Sequence, residues 1–117
     1  MGVVVHEALI VTSWDEKLLL KAHVEALILF EGRFVSTVTE PVINQYRSFL
    51  IQSSGSKQGW SESERHSRNL DAMVERLKTF AHEDGSNSLE WVRVVYGADL
   101  DERKPYIVPS PPEAAKP

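Results

Sequence analysis

One stretch of this chain is rich in glycine and serine and has the residue types best suited to hold a ligand. It reads SSGSKQGW over residues 53–60, and SESE at residues 61–64 then has the spacing of a helix capping box. Glycines let backbone amides approach a ligand, and the start of a helix behind them favours an anion. We therefore predict a ligand-binding or anion-binding site formed by Arg47, Gly55, Ser56, Lys57, Gly59, Trp60 and Ser61.

The same stretch also has a plainer interpretation. Lys57 lies in the pattern G-x-K-x-G, which lacks the G-x-x-x-x-G-K-[ST] spacing of a phosphate-binding loop. A connection between a strand and a helix, with the lysine in solvent, has the same composition. Both interpretations therefore stay open.

The histidines offer a second candidate site. His23 falls in the middle of the apolar side of a predicted helix, where an imidazole could be a base or a ligand. No acidic residue or histidine stands three or four residues away on that side, so a hydrogen-bonded core histidine is favoured. His6 and His23 could form a metal site with Glu7, Glu16 or Glu40, but their spacing is not specific.

A short acidic cluster, Asp99, Asp101 and Glu102, offers the oxygen ligands that a hard cation prefers. It lacks the glycine turn and the distal glutamate of an EF-hand. A solvated acidic turn is therefore the favoured interpretation, and we predict neither a metal site nor a cofactor.

Composition excludes several classes of function. The chain has no cysteine, which excludes disulfides, thiolate zinc sites, iron–sulfur clusters and a cysteine nucleophile. It contains neither the G-x-S-x-G nor the H-E-x-x-H catalytic pattern. Thirteen Lys and Arg against seventeen Asp and Glu give a net charge of −4, which argues against nucleic-acid binding through phosphate neutralisation.

The first residues argue against export and against a membrane segment. Residues 1–14, MGVVVHEALIVTSW, lack the basic region of a signal peptide. His6 and Glu7 also interrupt an apolar run that is too short to span a bilayer. We expect a cytoplasmic protein.

Strand and helix patterns alternate along the chain. Four β-rich runs predict strands, and the second and third are expected to form a hairpin; the runs are residues 3–12, 33–39, 46–53 and 89–96. Two helices are predicted to start at Ser-x-x-Glu capping boxes, at Ser13 and at Ser61. The first ends at Gly32, and the second repeats apolar residues at helical spacing from residue 70 to residue 81.

The order β-α-β-β-α-β predicts an α+β domain with a ferredoxin-like fold. This fold is a four-stranded antiparallel sheet with both helices on one face, which leaves the other face open to a ligand or a dimer partner. We expect one domain over residues 1–100. Residues 101–117 hold five of the six prolines and are predicted to form a flexible tail.

The first predicted helix is more apolar than one core contact requires. Leu19, Ala22 and Ala26 lie on its core side, while Val24 and Ile28 extend the apolar surface to its flanks. A second contact, such as a homodimer partner, would account for this excess.

Short segments spread from the first predicted strand to the last carry a family resemblance. They are IVTSWD (10–15), YRSF (46–49), GSKQGWSES (55–63), DGS (84–86), LEWV (89–92) and YG (96–97). In these segments the chain resembles a family of small uncharacterised phage and prophage proteins of bacteria. The resemblance implies an accessory phage gene product and carries no catalytic residue with it. The proline-rich end departs from the family pattern.

Two functions follow as hypotheses from different classes. The leading one is a non-enzymatic protein-interaction module that acts as a homodimer and has a host or phage protein as its target. The alternative is a small ligand-binding domain or enzyme that uses residues 55–60, with Lys57, Arg47 and His23 in its pocket.

Overall fold

The computed structural model describes residues 4–97 and 105–108 of the 117 residues. They form two helices and an open four-stranded antiparallel sheet, which confirms the predicted α+β class. The strands are β1 (His6–Ser13), β2 (Arg47–Ile51), β3 (Glu90–Tyr96) and β4 (Tyr106–Val108), and the helices are α1 (Glu16–Leu29) and α2 (Ser61–Lys78). The strand order across the sheet is β2-β1-β3-β4.

Strand β1 lies at the centre and separates the two faces of the sheet. Leu9 is paired with Ile51 of β2 on one side and with Arg93 of β3 on the other. Side chains alternate along a strand, so the odd-numbered residues Leu9 and Val11 are fully buried in the core that both helices share. The even-numbered residues point to the opposite, open face.

The predicted β-α-β-β-α-β order is not confirmed, because the described elements run β-α-β-α-β-β. Residues 33–39, predicted to be the second strand, run beside β2 but form only one bridge, between Val35 and Ile51. The amide of Ser36 donates to the carbonyl of Leu50 at 2.8 Å, as in an antiparallel ladder. The amides of Gln52 and Thr39 also donate across this pair, to Phe34 at 2.8 Å and to Ser48 at 2.9 Å. The bond from Leu50 back to the carbonyl of Ser36 is altered, and the pairing stays at one bridge.

His23 explains why this ladder is incomplete. Its Nε2 is 2.8 Å from the carbonyl oxygen of Ser36, the group that would accept from Leu50 in a regular strand pair. The Leu50 amide donates instead to the hydroxyl of Ser36. His23 is therefore hydrogen-bonded, as predicted, but it is only partly buried and is not a core residue. Its contact takes the place of a sheet hydrogen bond.

Neither capping box forms as predicted. Helix α1 begins after Asp15, whose carboxylate accepts from the amide of Leu18 at 3.1 Å. Ser13 is instead the last residue of β1, and its hydroxyl donates to the carbonyl of Ser88 at 2.8 Å. Helix α2 begins one residue earlier than predicted: Ser61 is its first residue, and Trp60 takes the N-cap position.

The C-terminus of α1 is closed by a Schellman motif. The amide of Gly32 donates to Leu27 at 2.8 Å and that of Glu31 donates to Ile28 at 3.2 Å. Glu31 consequently has a φ of 55°, in the left-handed region that disfavours residues with a Cβ atom. Gly32 has a φ of 77° without that cost.

A buried arginine joins three elements beneath α2. The guanidinium of Arg93 on β3 is almost fully buried and donates to Glu7 of β1 at 3.0 Å. It also donates to Asp71 and to the hydroxyl of Ser67, both on α2. Because a buried cation is costly without such partners, this cluster restricts how α2 can lie on the sheet.

Part of the predicted tail belongs to the sheet. Residues 106–108 form β4, in which Ile107 is paired with Val94 of β3. The acidic cluster at residues 99–102 and the end of the chain from residue 109 lie outside the described residues. Among the described residues, no helix has the length and apolar character needed to cross a membrane.

Replacing Glu31 with glycine should stabilise the fold. The left-handed backbone costs a residue with a Cβ about 1–2 kcal/mol, and the extra freedom of glycine in the unfolded chain offsets part of the gain. We expect the free energy of unfolding to rise by about 0.5–1 kcal/mol in urea titrations. Gly32→Ala is the matched control and should lower it; a loss in both variants would contradict the argument.

Replacing Arg93 with methionine should be strongly destabilising. The substitution leaves Glu7 without its guanidinium partner in a partly buried position, and breaking a buried pair in this way costs about 3 kcal/mol. Arg76→Met is the control, because Arg76 pairs with Glu25 on the surface and exposed pairs contribute about 1 kcal/mol or less. Equal losses in chemical denaturation would show that the Arg93 cluster does not stabilise the fold.

Candidate functional site

The polar groups of the predicted binding loop are engaged within the fold. The hydroxyl of Ser53 lies 2.7 Å from Nδ1 of His6 and accepts from the amide of Gly55. The hydroxyl of Ser54 lies 3.0 Å from that of Ser56. These contacts hold the loop in one shape and occupy hydroxyls that a ligand would otherwise use.

The charged and aromatic residues of the loop contact each other as well. Nζ of Lys57 lies 5.2 Å from the ring centroid of Trp60, a cation–π distance. Glu62 and Glu64 lie in the first turn of α2, where their negative charge is favourable to the helix but unfavourable to a bound anion. The structure thus brings six of the predicted residues, Gly55, Ser56, Lys57, Gly59, Trp60 and Ser61, into one connection with an acidic boundary.

Arg47 is separated from this connection. It begins β2, whereas the loop follows the end of β2, so about 20 Å of extended chain lies between them. Its guanidinium forms ion pairs with Glu16 at 3.6 Å and Glu40 at 3.8 Å. Arg47 therefore helps to hold the start of α1 at the opposite end of β2.

A cleft of about 270 Å³ lies between the end of α1 and the first half of α2. It is lined by Leu29, Phe30, Glu31, Arg33, Phe34, Glu62, Arg65, His66 and Asn69, which we call the helix cleft. The turn at residues 30–34 forms one wall. Phe34 has a φ of 67°, a conformation rare for a bulky residue, and this backbone turns its ring toward α2.

His66 is the buried polar residue of the helix cleft. Only 4% of its surface is exposed, and its ring lies edge-on to Phe30 and Phe34 at centroid distances of 5.4 and 4.9 Å. Neither ring nitrogen has a hydrogen-bond partner of normal geometry among the described residues. Both nitrogens are shielded from the solvent in the cleft, and the backbone of Gln52 and of Glu7 lies near the ring.

Burial lowers the pKa of His66 below its ordinary value of 6.5. The backbone of Gln52 and of Glu7, and the carboxylates of Glu7 and Glu62, oppose this effect in part. The imidazole is therefore neutral at pH 7, with one nitrogen as a donor and the other as an acceptor.

Two arginines lie at the rim of the helix cleft. Arg33 and Arg65 each lie 3.8 Å from a carboxylate oxygen of Glu62, which is between them. The guanidinium of Arg33 also lies 4.7 Å from the ring centroid of Phe34. The rim of the cleft is thus charged and already holds a carboxylate, whereas Phe30 beneath it is almost fully buried.

Sequence reasoning missed His66, although a signal was present. His66 stands four residues before Leu70 and seven before Met73, both fully buried, so it lies on the same apolar side of α2. The partners Phe30 and Phe34 belong to a distant part of the chain. Only the fold shows that they meet His66.

The open face of the sheet is a second candidate surface. We define it by the even-numbered residues of β1, β2 and β3 together with Ile107 of β4. Its exposed or partly exposed apolar residues are Ile10, Leu50, Val92, Val94, Tyr96 and Ile107. Within the described strands, Glu90 is its only Asp, Glu, Lys or Arg residue, a depletion typical of interface centres.

No group of three histidine or acidic side chains among the described residues could hold a metal ion. The histidines at positions 6, 23 and 66 have separate surroundings. His6 contacts Ser53, His23 contacts Ser36, and His66 lies next to Phe30.

The burial of His66 should make the fold less stable in acid. Below pH 6.5 the unfolded chain takes up a proton that the folded imidazole resists, so stability is complete above that pH and falls below it. One such proton contributes at most about 1.4 kcal/mol per pH unit. His66→Phe should reduce the loss measured by urea unfolding between pH 7.5 and pH 5.5, whereas His82→Asn, at an exposed position, should not. An unchanged slope in His66→Phe would refute this role.

Comparisons with models of protein families, with curated proteins and with solved structures found no match. The resemblance to phage and prophage proteins therefore stays a prediction.

Proposed function

We propose that this chain is a protein-interaction module that forms a homodimer through the open face of its sheet. The observation that carries this proposal is the composition of that face. Its centre is formed by Ile10, Val92 and Val94, and Glu90 is the only Asp, Glu, Lys or Arg residue among the described strand positions that define it. A sheet face that is exposed only to solvent usually carries charged residues, whereas the centre of a protein interface is depleted of them.

The size of the open face suits a modest interface. Four strands about 4.8 Å apart, of which β1 spans eight residues and β3 seven, give a projected area of roughly 400 Å². Apolar patches of about 300–600 Å² are often functional in monomers. Two such faces would bury on the order of 800 Å², below the roughly 1,200 Å² of stable specific interfaces, so we expect a weak dimer with a dissociation constant in the upper micromolar range.

A second copy of the same sheet complements this face well. Two pleated sheets pack face to face with interdigitating side chains, and a two-fold axis makes the contact self-complementary. Glu90 lies at one end of the face, and His6 and Tyr96 lie at the other. Antiparallel stacking would place the carboxylate of each Glu90 near the imidazole and phenol of the second copy.

The exposed side of α1 is a weaker candidate for the dimer contact. Leu20, Val24 and Ile28 form an exposed aliphatic stripe, as the apolar excess of this helix predicted. The stripe is one residue wide, and Lys17 and Lys21 lie beside it. A narrow stripe edged by charge is ordinary on a surface helix and covers less area than the sheet.

The wider biological role is also a proposal. The family resemblance supports an accessory function in a phage or prophage, and the lack of cysteine is compatible with the cytoplasm. Under this proposal the dimer presents its two remaining surfaces, α1 and the helix cleft, to a host or phage protein.

Charges placed on the open face should dissociate the dimer. In Ile10→Glu or Ile107→Glu, two like charges meet across the two-fold contact, and we expect the dissociation constant to rise at least about tenfold. Sedimentation velocity between micromolar and several hundred micromolar protein measures the effect, with circular dichroism to confirm folding. Ile107 is exposed on the edge strand β4, so Ile107→Glu should fold even where Ile10→Glu does not.

The matched control is Ile28→Glu, which places the same charge on the exposed stripe of α1. It should leave the dimer intact. Dissociation by Ile28→Glu alone would move the interface to α1, and a wild-type chain that stays monomeric over the whole range would refute the proposal.

A further inference from the structure

We propose that Tyr96 of each copy fills a pocket on the open face of the other copy, where its hydroxyl donates to the carboxylate of Glu90. The inference rests on the homodimer proposed above and adds the contact that fixes its register. Three observations carry it: a pocket at one end of the open face, an exposed tyrosine at the other end, and a carboxylate and a phenol that both lack partners.

The pocket lies at the part of β3 that β4 does not cover. Among the described residues, β4 pairs only with residues 93–95 of β3, which leaves residues 90–92 without a neighbour on that edge. The pocket has a volume of about 280 Å³ and is lined by Ile10, Thr12, Glu90, Trp91 and Val92. This volume is just below that of drug-sized sites, so the pocket suits a single ring.

Tyr96 is a ring of the right kind at the opposite end of the same face. It is the last residue of β3, and 39% of its surface is exposed. Its ring lies against that of His6 at a centroid distance of 5.1 Å, which holds the phenol in a defined position. A tyrosine brings a large apolar ring and a polar end into a contact at a low cost in conformational entropy.

The spacing along β3 determines where the two-fold axis lies. When the axis crosses the strands at Val94, each residue of β3 faces the residue of the second copy that is equally far from Val94 on the other side. Tyr96 then faces Val92, because each lies two residues, about 7 Å, from Val94. On β1 the same axis passes Ala8, which is paired with Val94 and whose small side chain permits close approach.

Charge favours this axis over one that runs along the strands. An axis along the strands brings like ends of the two faces together, so both Glu90 carboxylates lie at the same end and oppose association. The axis across the strands separates them. Glu90 lies four residues from Val94, so the two carboxylates are then about 27 Å apart.

The Tyr96 hydroxyl supplies the donor that Glu90 needs once the face is covered. Among the described residues, neither the Glu90 carboxylate nor the Tyr96 hydroxyl has a hydrogen-bond or ion-pair partner. Other polar groups of the face are engaged: Thr12 and Ser48 bond each other at 2.7 Å, and Nδ1 of His6 lies 2.7 Å from the hydroxyl of Ser53. Burying a carboxylate without a donor is costly, and a phenol is a strong partner for it.

The first test follows association through Trp91, which lines the pocket. Trp14→Phe and Trp60→Phe, at two exposed positions, together leave Trp91 as the only one of the three tryptophans. Its emission and its quenching by iodide are measured from micromolar to several hundred micromolar protein, with sedimentation velocity on the same samples. We expect the emission maximum to move to shorter wavelength, and the quenching to fall, in proportion to the dimer fraction.

The second test separates the hydrogen bond from the apolar contact. Tyr96→Phe leaves the Glu90 carboxylates without a donor and should raise the dissociation constant about tenfold. Adding Glu90→Gln to Tyr96→Phe removes the unpartnered charge and should restore part of the affinity. Tyr106→Phe is the matched control, because Tyr106 is exposed on β4 and paired with Val95, outside the open face. It should dimerise like the unmodified chain.

Circular dichroism confirms that each variant folds, and the Trp91 measurement needs no change at Tyr96. A dimer that forms without any change in Trp91 emission or quenching would overturn this contact and leave the homodimer standing. A Tyr96→Phe variant that dimerises like Tyr106→Phe would do the same. A chain that stays monomeric, or a dimer that only Ile28→Glu dissociates, refutes the homodimer through the open face and this contact with it, so the two failures are distinguishable.

Discussion

The pairing of β1 on both of its edges is the constraint on which the rest of the structure depends. Its register with β2 and β3 fixes Leu9 and Val11 beneath the helices, and Ile10 on the other side. A shift of one residue would expose the first two and bury the third, so the apolar pattern admits only one register. The open face is thus a consequence of how the core is built. Because β1 alternates apolar residues on both faces, covering one face with helices leaves the other without a partner from the described chain.

The helix cleft depends on a more local competition for hydrogen bonds. His23 binds the carbonyl of Ser36 and draws the segment after α1 toward that helix, at the expense of a regular second strand. The same segment begins with Phe34, whose ring meets His66. The contact of His23 with Ser36 thus helps to position Phe34, the ring against which His66 is buried. The two histidines differ in burial: His23 is partly exposed, whereas His66 is almost fully buried.

Periodicity was enough to predict the α+β class, both helices and three of the four sheet-forming runs, because these depend on patterns within one segment. The capping boxes at Ser13 and Ser61 were misplaced because a serine hydroxyl has other partners in the fold: Ser13 donates to Ser88, which is distant in sequence. Residues 33–39 have the composition of a strand, yet a side chain from another element takes one of their carbonyls. His66 was overlooked because its neighbours are set by tertiary packing. The errors share one cause, namely contacts between segments that no local pattern records.

The alternation of β1 also determines how the two proposed surfaces relate. The open face uses even-numbered positions and the core side uses odd-numbered ones, so a partner on the sheet does not occupy the space beside the helices. Their closest connection is Glu7, which pairs with Arg93 and lies near His66 on the core side of β1. Its neighbour Ala8 belongs to the open face and is already buried. The stretch of β1 at Glu7 and Ala8 is therefore packed on both faces, so a partner on the open face meets a strand that the core already holds in register.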